Sequence, residues 1–194
     1  MAHRRLLITG FDPFGGQRIN PSWAAVNALP DRIGDFELCK LPIPTVFGLA
    51  ADTVLEQAAQ FHPDVILCIG QAGGRDAVTP ERIAVNIRDA RIPDNRGNRP
   101  EGAFAVPDGP AAYFATVPVT DMARAIREAG IPAAVSNTAG TFVCNDVLYA
   151  LLHRYAGTGV AVGFIHVPYL PEQGSPALPL DQTVAALIAA IKVC

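Results

Sequence analysis

The sequence has few charged residues and no long apolar run. Charged residues make up 17% of the 194, and 15 Lys and Arg stand against 18 Asp and Glu, a formal net charge of -3. Without a basic stripe, nucleic acid is not expected as a partner. No stretch reaches the roughly 18 apolar residues of a membrane span. The apolar run 6–9 is also too short for the core of a secretory signal. We therefore expect a cytoplasmic protein with no membrane partner.

Cysteine is also scarce, and its spacing carries no metal signature. The four cysteines are Cys39, Cys68, Cys144 and Cys194, and no two form a C-x-x-C pair. No histidines stand at zinc-ligand spacing either, so a metal site is not expected. Exported disulfide scaffolds are shorter and denser in cysteine. The sequence thus predicts four free thiols.

Half of the residues are hydrophobic, enough for one domain of this length to bury a sizeable core. Apolar runs typical of buried strands alternate with segments of helical periodicity. Strands are predicted at 6–9, 65–70, 133–136 and 160–166, and less clearly at 36–41, 83–87 and 112–117. This alternation predicts an α/β fold, a single-domain α/β/α sandwich over residues 1–194 with a largely parallel central sheet flanked by helices.

Five helices are predicted between and after these strands. The first begins where Asn20 can cap it and Pro21 suits the first helical position. The others are predicted at 45–60, 122–129, 143–155 and 184–191.

The segment 89–109, rich in Arg, Asp, Pro, Gly and Asn, has only weak periodicity. An irregular segment of that length inside a compact domain is often functional.

Cys144 follows the small, polar segment 136–143 and opens the predicted helix 143–155. A helix N-terminus has unpaired N–H groups and partial positive charge, which favour a thiolate, so we expect a lowered pKa for this cysteine. The same N–H groups could hold an oxyanion. Burial in the core is the commoner role of a free cysteine. Position alone leaves both roles open.

His166 and Glu81 are the other candidates for acid–base chemistry. His166 ends a predicted strand, and ligands of open α/β sheets bind outside the carboxyl ends of their strands. It is thus well placed to act as a base. Glu81 follows Pro80, and its carboxylate could orient such a histidine. A structural histidine and a surface glutamate are the plainer alternatives, and both stay open.

The segment 10–16 is rich in glycine and carries Phe11 and Phe14. It lacks the GxGxxG register and any Gly-Lys-Ser/Thr, so it is not a phosphate loop. Two phenylalanines in a strand-end loop suit an apolar ligand pocket, although both rings could simply belong to the core.

Several longer motifs in this order resemble the pyroglutamyl-peptidase I (pyrrolidone-carboxylate peptidase) family. They are LITGFDPFG at 7–15, GQAGGR at 70–75, PER at 80–82, ARIPDN at 90–95, SNTAGTFVCN at 136–145 and GFIHVPYLP at 163–171. The resemblance covers nearly the whole chain. Such a set is far more specific than any short pattern.

The resemblance implies a catalytic triad of Glu81, Cys144 and His166. It implies a cysteine exopeptidase that removes an N-terminal pyroglutamyl residue from peptides through a thioester, with no metal and no organic cofactor. It also places Arg91 near the active site, where it would help to hold the oxyanion. Members are often homotetramers, so a homo-oligomer, tetramer or dimer, is expected.

The substrate pocket is inferred from this resemblance and from composition. The pyroglutamyl ring is a neutral lactam, and burying the charged ammonium of an ordinary N-terminus in its place would be costly. The ring needs an apolar slot with a few polar groups that read its N–H and C=O. The apolar candidates are Phe11, Phe14, Ile92 and Phe142. The polar candidates are Asn20 and the backbone of Gln71.

Three features depart from the family pattern. Arg88 stands where an acidic residue is common, Asp146 follows the cysteine motif where other residues are frequent, and the segment 172–180 is short.

Two other functions remain. A catalytically silent small-molecule binding protein on the same scaffold is disfavoured by the intact triad. A different α/β hydrolase or phosphorylase also remains, since fold alone fixes no chemistry. A phosphorylase would need a basic phosphate site, which the glycine loop does not supply.

Overall fold

The computed structural model describes residues 4–194. The strands are Arg4–Phe11 (β1), Arg32–Ile33 (β2), Phe36–Ile43 (β3), Val65–Gln71 (β4), Thr79–Pro80 (β5), Ile83–Val85 (β6), Ala112–Phe114 (β7) and Ala161–Val167 (β8). The helices are Pro21–Ala28 (α1), Leu49–Phe61 (α2), Val119–Glu128 (α3), Val143–Tyr155 (α4) and Leu180–Ile191 (α5). Among these residues, no helix has the length and apolar character needed to cross a membrane.

The central sheet has the order β2-β3-β1-β4-β8-β5. Strands β3, β1, β4 and β8 are parallel, whereas β2 and β5 add to the two edges in antiparallel register. The parallel strands therefore all end at one edge of the sheet, at Ile43, Phe11, Gln71 and Val167. A separate antiparallel pair, β6 and β7, packs beside α4.

Helices cover both faces of the sheet. Leu6, Ile8 and Leu67 point into a core shared with α1, α3 and α5. The intervening Leu7 and Ile66 point into a second core with α2 and α4. Because successive side chains of a strand alternate between faces, a strand buried on both sides is apolar at every position. The predicted α/β/α architecture with a largely parallel sheet is confirmed.

The predicted strand 133–136 is wrong. This segment makes only isolated parallel bridges, Ala133 to Val78 and Ser136 to Glu81. Ala134 N donates to Val78 O and Ser136 N donates to Pro80 O. A continuous ladder would also need an N–H from Pro80, and proline has none. The pairing therefore breaks between the two bridges.

Other differences are matters of boundary. Helix α2 begins at Leu49 rather than at position 45, because Gly48 has a left-handed φ of 73° that no helix accommodates. Strands β6 and β7 are shorter than predicted, at three residues each. The segment 89–109 lies between them and contains no helix or strand longer than a single bridge, as the weak periodicity indicated.

Candidate active site

A cleft of about 590 Å³ opens at the sheet edge where β4 and β8 end. Its walls come from the start of α4, the loop after β1, the loop after β4 and the segment 89–92. Cys144 and His166 both line it. Among the four main cavities in residues 4–194, this one alone contains both a thiol and an imidazole. It lies at the carboxyl edge of the parallel strands.

His166 and Glu81 form a buried pair in this cleft. His166 Nδ1 lies 2.7 Å from Glu81 Oε1, and the two residues are 4% and 0% exposed. The sheet fixes this geometry, because β5 pairs antiparallel with the end of β8 and Thr79 stands opposite His166. Glu81 follows directly, and its backbone N–H donates to Phe164 O at 2.8 Å. The two sequence candidates, 85 residues apart, are thereby joined.

The charges of this pair suit a histidine base. Burial foremost lowers the pKa of His166, and the hydrogen bond and charge of Glu81 offset this only in part. Burial acts to raise the pKa of Glu81, but hydrogen bonds and charge from His166, with hydrogen bonds from its other neighbours, hold it below the usual value. A carboxylate only accepts, so Nδ1 carries the proton. The neutral ring then keeps the lone pair of Nε2 available.

Cys144 is the second residue of α4 and forms part of the cleft wall. No side chain caps the helix at Phe142, so the first-turn N–H groups are available to a ligand. The thiol packs closely over β4. A Cβ added at Gly70 would lie 3.0 Å from Cys144 Sγ and 2.6 Å from Phe164 Cζ. Only glycine at position 70 leaves room for the Cys144 sulfur in this position over β4.

The expectation of a lowered thiol pKa is wrong. Burial foremost, followed by the negative charge of Glu81, raises the pKa of Cys144 to about 12. The charge of Arg75 and a backbone hydrogen bond at the helix start act in the opposite direction but are outweighed. Within residues 4–194 the thiol also makes no hydrogen bond to the His166 ring, although both face the cleft. The resting pair is thus a neutral thiol and a neutral imidazole.

The predicted pocket residues divide into two groups. The cleft is lined by Phe14, Gln71, Arg91, Ile92 and Phe142. The Phe14 and Phe142 rings are 5.9 Å apart, and Phe142 also meets the edge of Phe47 at 5.3 Å. Ile92 is 44% exposed at the rim. These side chains give the cleft an apolar wall next to the thiol.

Phe11 and Asn20 lie behind this wall rather than in it. Phe11 is 2% exposed and packs in the core, 6.3 Å from the ring of Phe164. Asn20 caps α1, where its Oδ1 accepts from Ser22 N and Oγ and its Nδ2 donates to Asp12 O. An amide committed to a helix cap has little capacity left for a ligand. Neither residue contacts the cleft as the sequence suggested.

Two further residues received no role from the sequence. Arg75 donates through Nη1 to Glu81 Oε1 at 2.6 Å, and its only sequence signal was membership of the 70–75 motif. Asn145 is fully buried; its Oδ1 accepts from Val85 N and its Nδ2 donates to Val85 O and Ile87 O. It thereby ties the start of α4 to β6. Its signal was its place directly after the cysteine.

Two of the departures from the family pattern contact each other. Arg88 Nε lies 2.6 Å from Asp146 Oδ1, and Asp146 Oδ2 accepts from Gly48 N at 2.8 Å. Asp146 is fully buried two residues after Cys144. Arg88 therefore supplies the charge that the buried Asp146 requires, and the pair joins the residue before the 89–109 segment to α4.

A thiol and an imidazole in one cleft, with a carboxylate that orients the imidazole, are the catalytic groups of a cysteine hydrolase. The largely parallel sheet makes the protein a hydrolase of the α/β class. The family model described as pyroglutamyl peptidase matches residues 4–194. The chain belongs to this family.

Similar proteins agree with this assignment over almost the full length. Pyrrolidone-carboxylate peptidase of Levilactobacillus brevis is 51% identical, over 97% of this chain and 96% of its own. The Escherichia fergusonii protein of the same name is 50% identical, over 97% and 91%. The crystal structure of Bacillus amyloliquefaciens pyroglutamyl peptidase I superposes with a TM-score of 0.95 at 44% identity, over 98% and 96%. A mutant pyrrolidone carboxyl peptidase from Pyrococcus furiosus gives 0.92 at 40% identity, over 97% of both chains.

Proposed function

We propose that this chain is a cysteine exopeptidase that hydrolyses the amide bond after an N-terminal pyroglutamyl residue of peptides. The observation that carries this proposal is the Glu81–His166 pair, at 2.7 Å, facing the cleft that Cys144 lines. Membership of the pyroglutamyl peptidase family supplies the substrate. No observation favours a catalytically silent binding protein.

The reaction begins with attack by Cys144 Sγ on the carbonyl carbon that joins the pyroglutamyl ring to the next residue. His166 Nε2 takes the thiol proton as the C–S bond forms, then gives it to the nitrogen of the departing peptide as the C–N bond breaks. Water next attacks the thioester while His166 accepts its proton. Pyroglutamate leaves, and the proton returns to the sulfur.

Glu81 orients the imidazole and stabilises the imidazolium that forms in each step. Because the resting thiol is neutral, His166 takes its proton as Cys144 attacks in this proposal. The backbone N–H of Cys144, assisted by Arg91 in the cleft wall, holds the oxyanion. One such donor contributes roughly 3–4 kcal/mol to transition-state stabilisation in other enzymes.

The ring of the substrate enters the apolar part of the cleft. Phe14, Ile92 and Phe142 supply its walls, and Gln71 at the end of β4 supplies polar contacts to the lactam. Phe11 and Asn20 act indirectly by supporting the loop that carries Phe14. The cleft is also far larger than a five-membered ring, so the leaving peptide fits beside it.

The proposal extends to the setting of the enzyme. The whole chain works as one peptidase domain, needs no metal and no organic cofactor, and acts in the cytoplasm. It assembles as a homo-oligomer, a tetramer or a dimer. Phe104 and Phe114, 65% and 68% exposed, are apolar side chains that such an assembly would cover. Light scattering coupled to gel filtration measures the assembly directly.

The test is release of a fluorogenic amine from pyroglutamyl amide, with glutamyl and prolyl amides as matched substrates. The protein should cleave the first and ignore the other two. Cys144→Ala should abolish release, whereas Cys39→Ala, a thiol on β3 outside the cleft, should leave it intact. Cleavage of all three amides, or full activity in Cys144→Ala, contradicts the proposal.

A further inference from the structure

Arg75 makes a three-point contact around the buried carboxylate. Its Nη1 donates to Thr79 Oγ1 at 2.5 Å and to Glu81 Oε1 at 2.6 Å. Its Nη2 donates to Thr138 O at 3.1 Å. The two hydrogens of Nη1 and one of Nη2 are thus all in use, a geometry that a guanidinium provides and an ammonium does not.

The oxygen that Arg75 contacts is the one that His166 uses. Glu81 Oε1 accepts from both Arg75 Nη1 and His166 Nδ1, at 2.6 and 2.7 Å. The other oxygen, Oε2, is buried and, among the residues described, lacks a hydrogen-bond partner. Ser136 bridges to Glu81 through the backbone, and its hydroxyl donates to Thr138 O at 3.1 Å. The orientation of the carboxylate therefore depends chiefly on Arg75 and His166, the two donors that share Oε1.

We infer that Arg75 is a positioning residue for the reaction, which locks the Glu81 carboxylate in its ionised form against His166 and ties it to the 138–141 wall of the cleft. The inference rests on the proposed roles of Glu81, Cys144 and His166. Arg75 itself is 30% exposed in its side chain, whereas Glu81 is 0% exposed. The positive charge of Arg75, in the cleft wall, thus partly neutralises the negative charge of the buried Glu81.

Besides burial, this arrangement affects the basicity of the imidazole. Glu81 raises the pKa of His166, and the charge of Arg75 lowers it. Arg75 also lowers the pKa of Cys144. Other ionisable groups that line the cleft are Tyr169 on the segment after β8, and Asp89 and Arg91 on the opposite wall. Loss of the Arg75 charge leaves Glu81 less neutralised, so the imidazole should hold its proton to higher pH.

The first experiment compares pH profiles of kcat/KM for pyroglutamyl amide in Arg75→Gln, Arg75→Lys and the parent protein. Arg75→Gln should move the acid limb to higher pH by about one unit, as expected for one charge removed at this range. Arg75→Lys keeps the charge and loses part of the three-point contact. Its acid limb should stay within about 0.3 units of the parent while kcat falls.

Arg82→Gln is the matched control. Arg82 is the exposed neighbour of Glu81, and its guanidinium donates to Asn137 Oδ1 rather than to the carboxylate. It should leave the limb in place. An unmoved limb in Arg75→Gln, an equal shift in Arg82→Gln, or an equal shift in Arg75→Lys overturns the inference. Because the parent protein is assayed alongside, a failure of the proposed function itself appears separately, as no cleavage by the parent.

A second measurement does not depend on activity. If Arg75 acts through Glu81, its removal should matter more while the carboxylate is present. Arg75→Gln should therefore lower the unfolding temperature less in the Glu81→Gln background, where only the contacts with Thr79 and Thr138 are lost, than in the parent. This comparison stands even if Arg75→Gln alone does not fold. Additive losses of melting temperature would show that Arg75 is merely structural.

Discussion

Gly70→Ala should lower kcat/KM, and the loss should exceed what the loss of folded protein explains. The added Cβ would lie 2.6 Å from Phe164 Cζ and 3.0 Å from Cys144 Sγ, where ordinary contacts run from 3.4 to 4 Å. Phe164 is fully buried, and its ring lies 4.7 Å from the ring of His166. Neither neighbour can yield without moving a catalytic group.

The size of the effect follows from these distances. To regain a 3.4 Å contact, the Cys144 sulfur must shift by about 0.4 Å and the Phe164 ring by about 0.8 Å. A misplacement of 1 Å can cost roughly 100-fold in rate, so kcat/KM should fall by at least about tenfold. Overpacking a buried site costs about 1–3 kcal/mol of stability. Urea unfolding followed through Trp23, the single tryptophan, measures the second quantity, and cleavage of pyroglutamyl amide measures the first.

Gly163→Ala separates the two effects. Its Cβ would lie 2.3 Å from Val117 Cγ2 on the face of the sheet away from the thiol. It should lose as much stability as Gly70→Ala, yet keep the parent kcat/KM once corrected for the folded fraction. Equal losses of activity in both variants, or no loss in Gly70→Ala, would refute the idea that close packing over β4 seats the sulfur.

Three further changes test other parts of the site. Arg88→Met leaves the buried Asp146 carboxylate without its cation and should cost about 3 kcal/mol in urea unfolding; Arg88→Met with Asp146→Asn removes the charge but keeps an acceptor for the Gly48 N–H, so it should recover most of the loss, and a double variant no more stable than Arg88→Met would contradict the pairing. Glu81→Gln removes the group that raises the pKa of His166, so the acid limb of kcat/KM should move to lower pH while kcat falls by roughly 1,000-fold; an upward shift would reverse the assigned sign. Asn145→Ala removes the side-chain partner of the Val85 N–H and of the Ile87 carbonyl, whereas the Val85 carbonyl still accepts from Ile87 N; the change should cost about 2–4 kcal/mol, and a loss below about 0.5 kcal/mol, the range of ordinary surface substitutions, would exclude a role in holding α4.

Much of the fold could be predicted because buried parallel strands are apolar at every position. The runs that became β1, β4 and β8 stand out for that reason. The predicted strand at 133–136 also begins with three apolar residues, but its pairing depends on a donor that its neighbour Pro80 lacks. Such a partner is invisible from the segment itself.

In the candidate site, too, local sequence signals could be read but the effects of tertiary contacts could not. Motifs singled out Glu81, Cys144 and His166; in the structure Cys144 and His166 line one cleft, and Glu81 is buried against the His166 ring. The pKa of Cys144 was missed because burial and the charge of Glu81 are tertiary effects that outweigh the helix end. Asn20 was assigned both to the helix cap and to the substrate, and one side-chain amide serves only the cap.

The partners of Arg75 could not be predicted at all. Its contact with Glu81 requires the turn after β4 to fold back over β5, and no local pattern in residues 70–81 specifies that path. The Arg88–Asp146 pair was not predicted either, because the sequence marked the two residues only as separate departures from the family pattern. Their contact at 2.6 Å comes from the tertiary fold.

The central claim is that Cys144 is the nucleophile, and trapping the acyl-enzyme tests it most directly. The enzyme is mixed with excess pyroglutamyl amide and quenched in acid within the first turnover, and its peptides are then mapped by mass spectrometry. We expect one pyroglutamyl group in thioester linkage to Cys144, absent from Cys144→Ala and unchanged in Cys39→Ala. A pyroglutamyl group on any other residue, or amide cleavage by Cys144→Ala at the parent rate, would contradict the account.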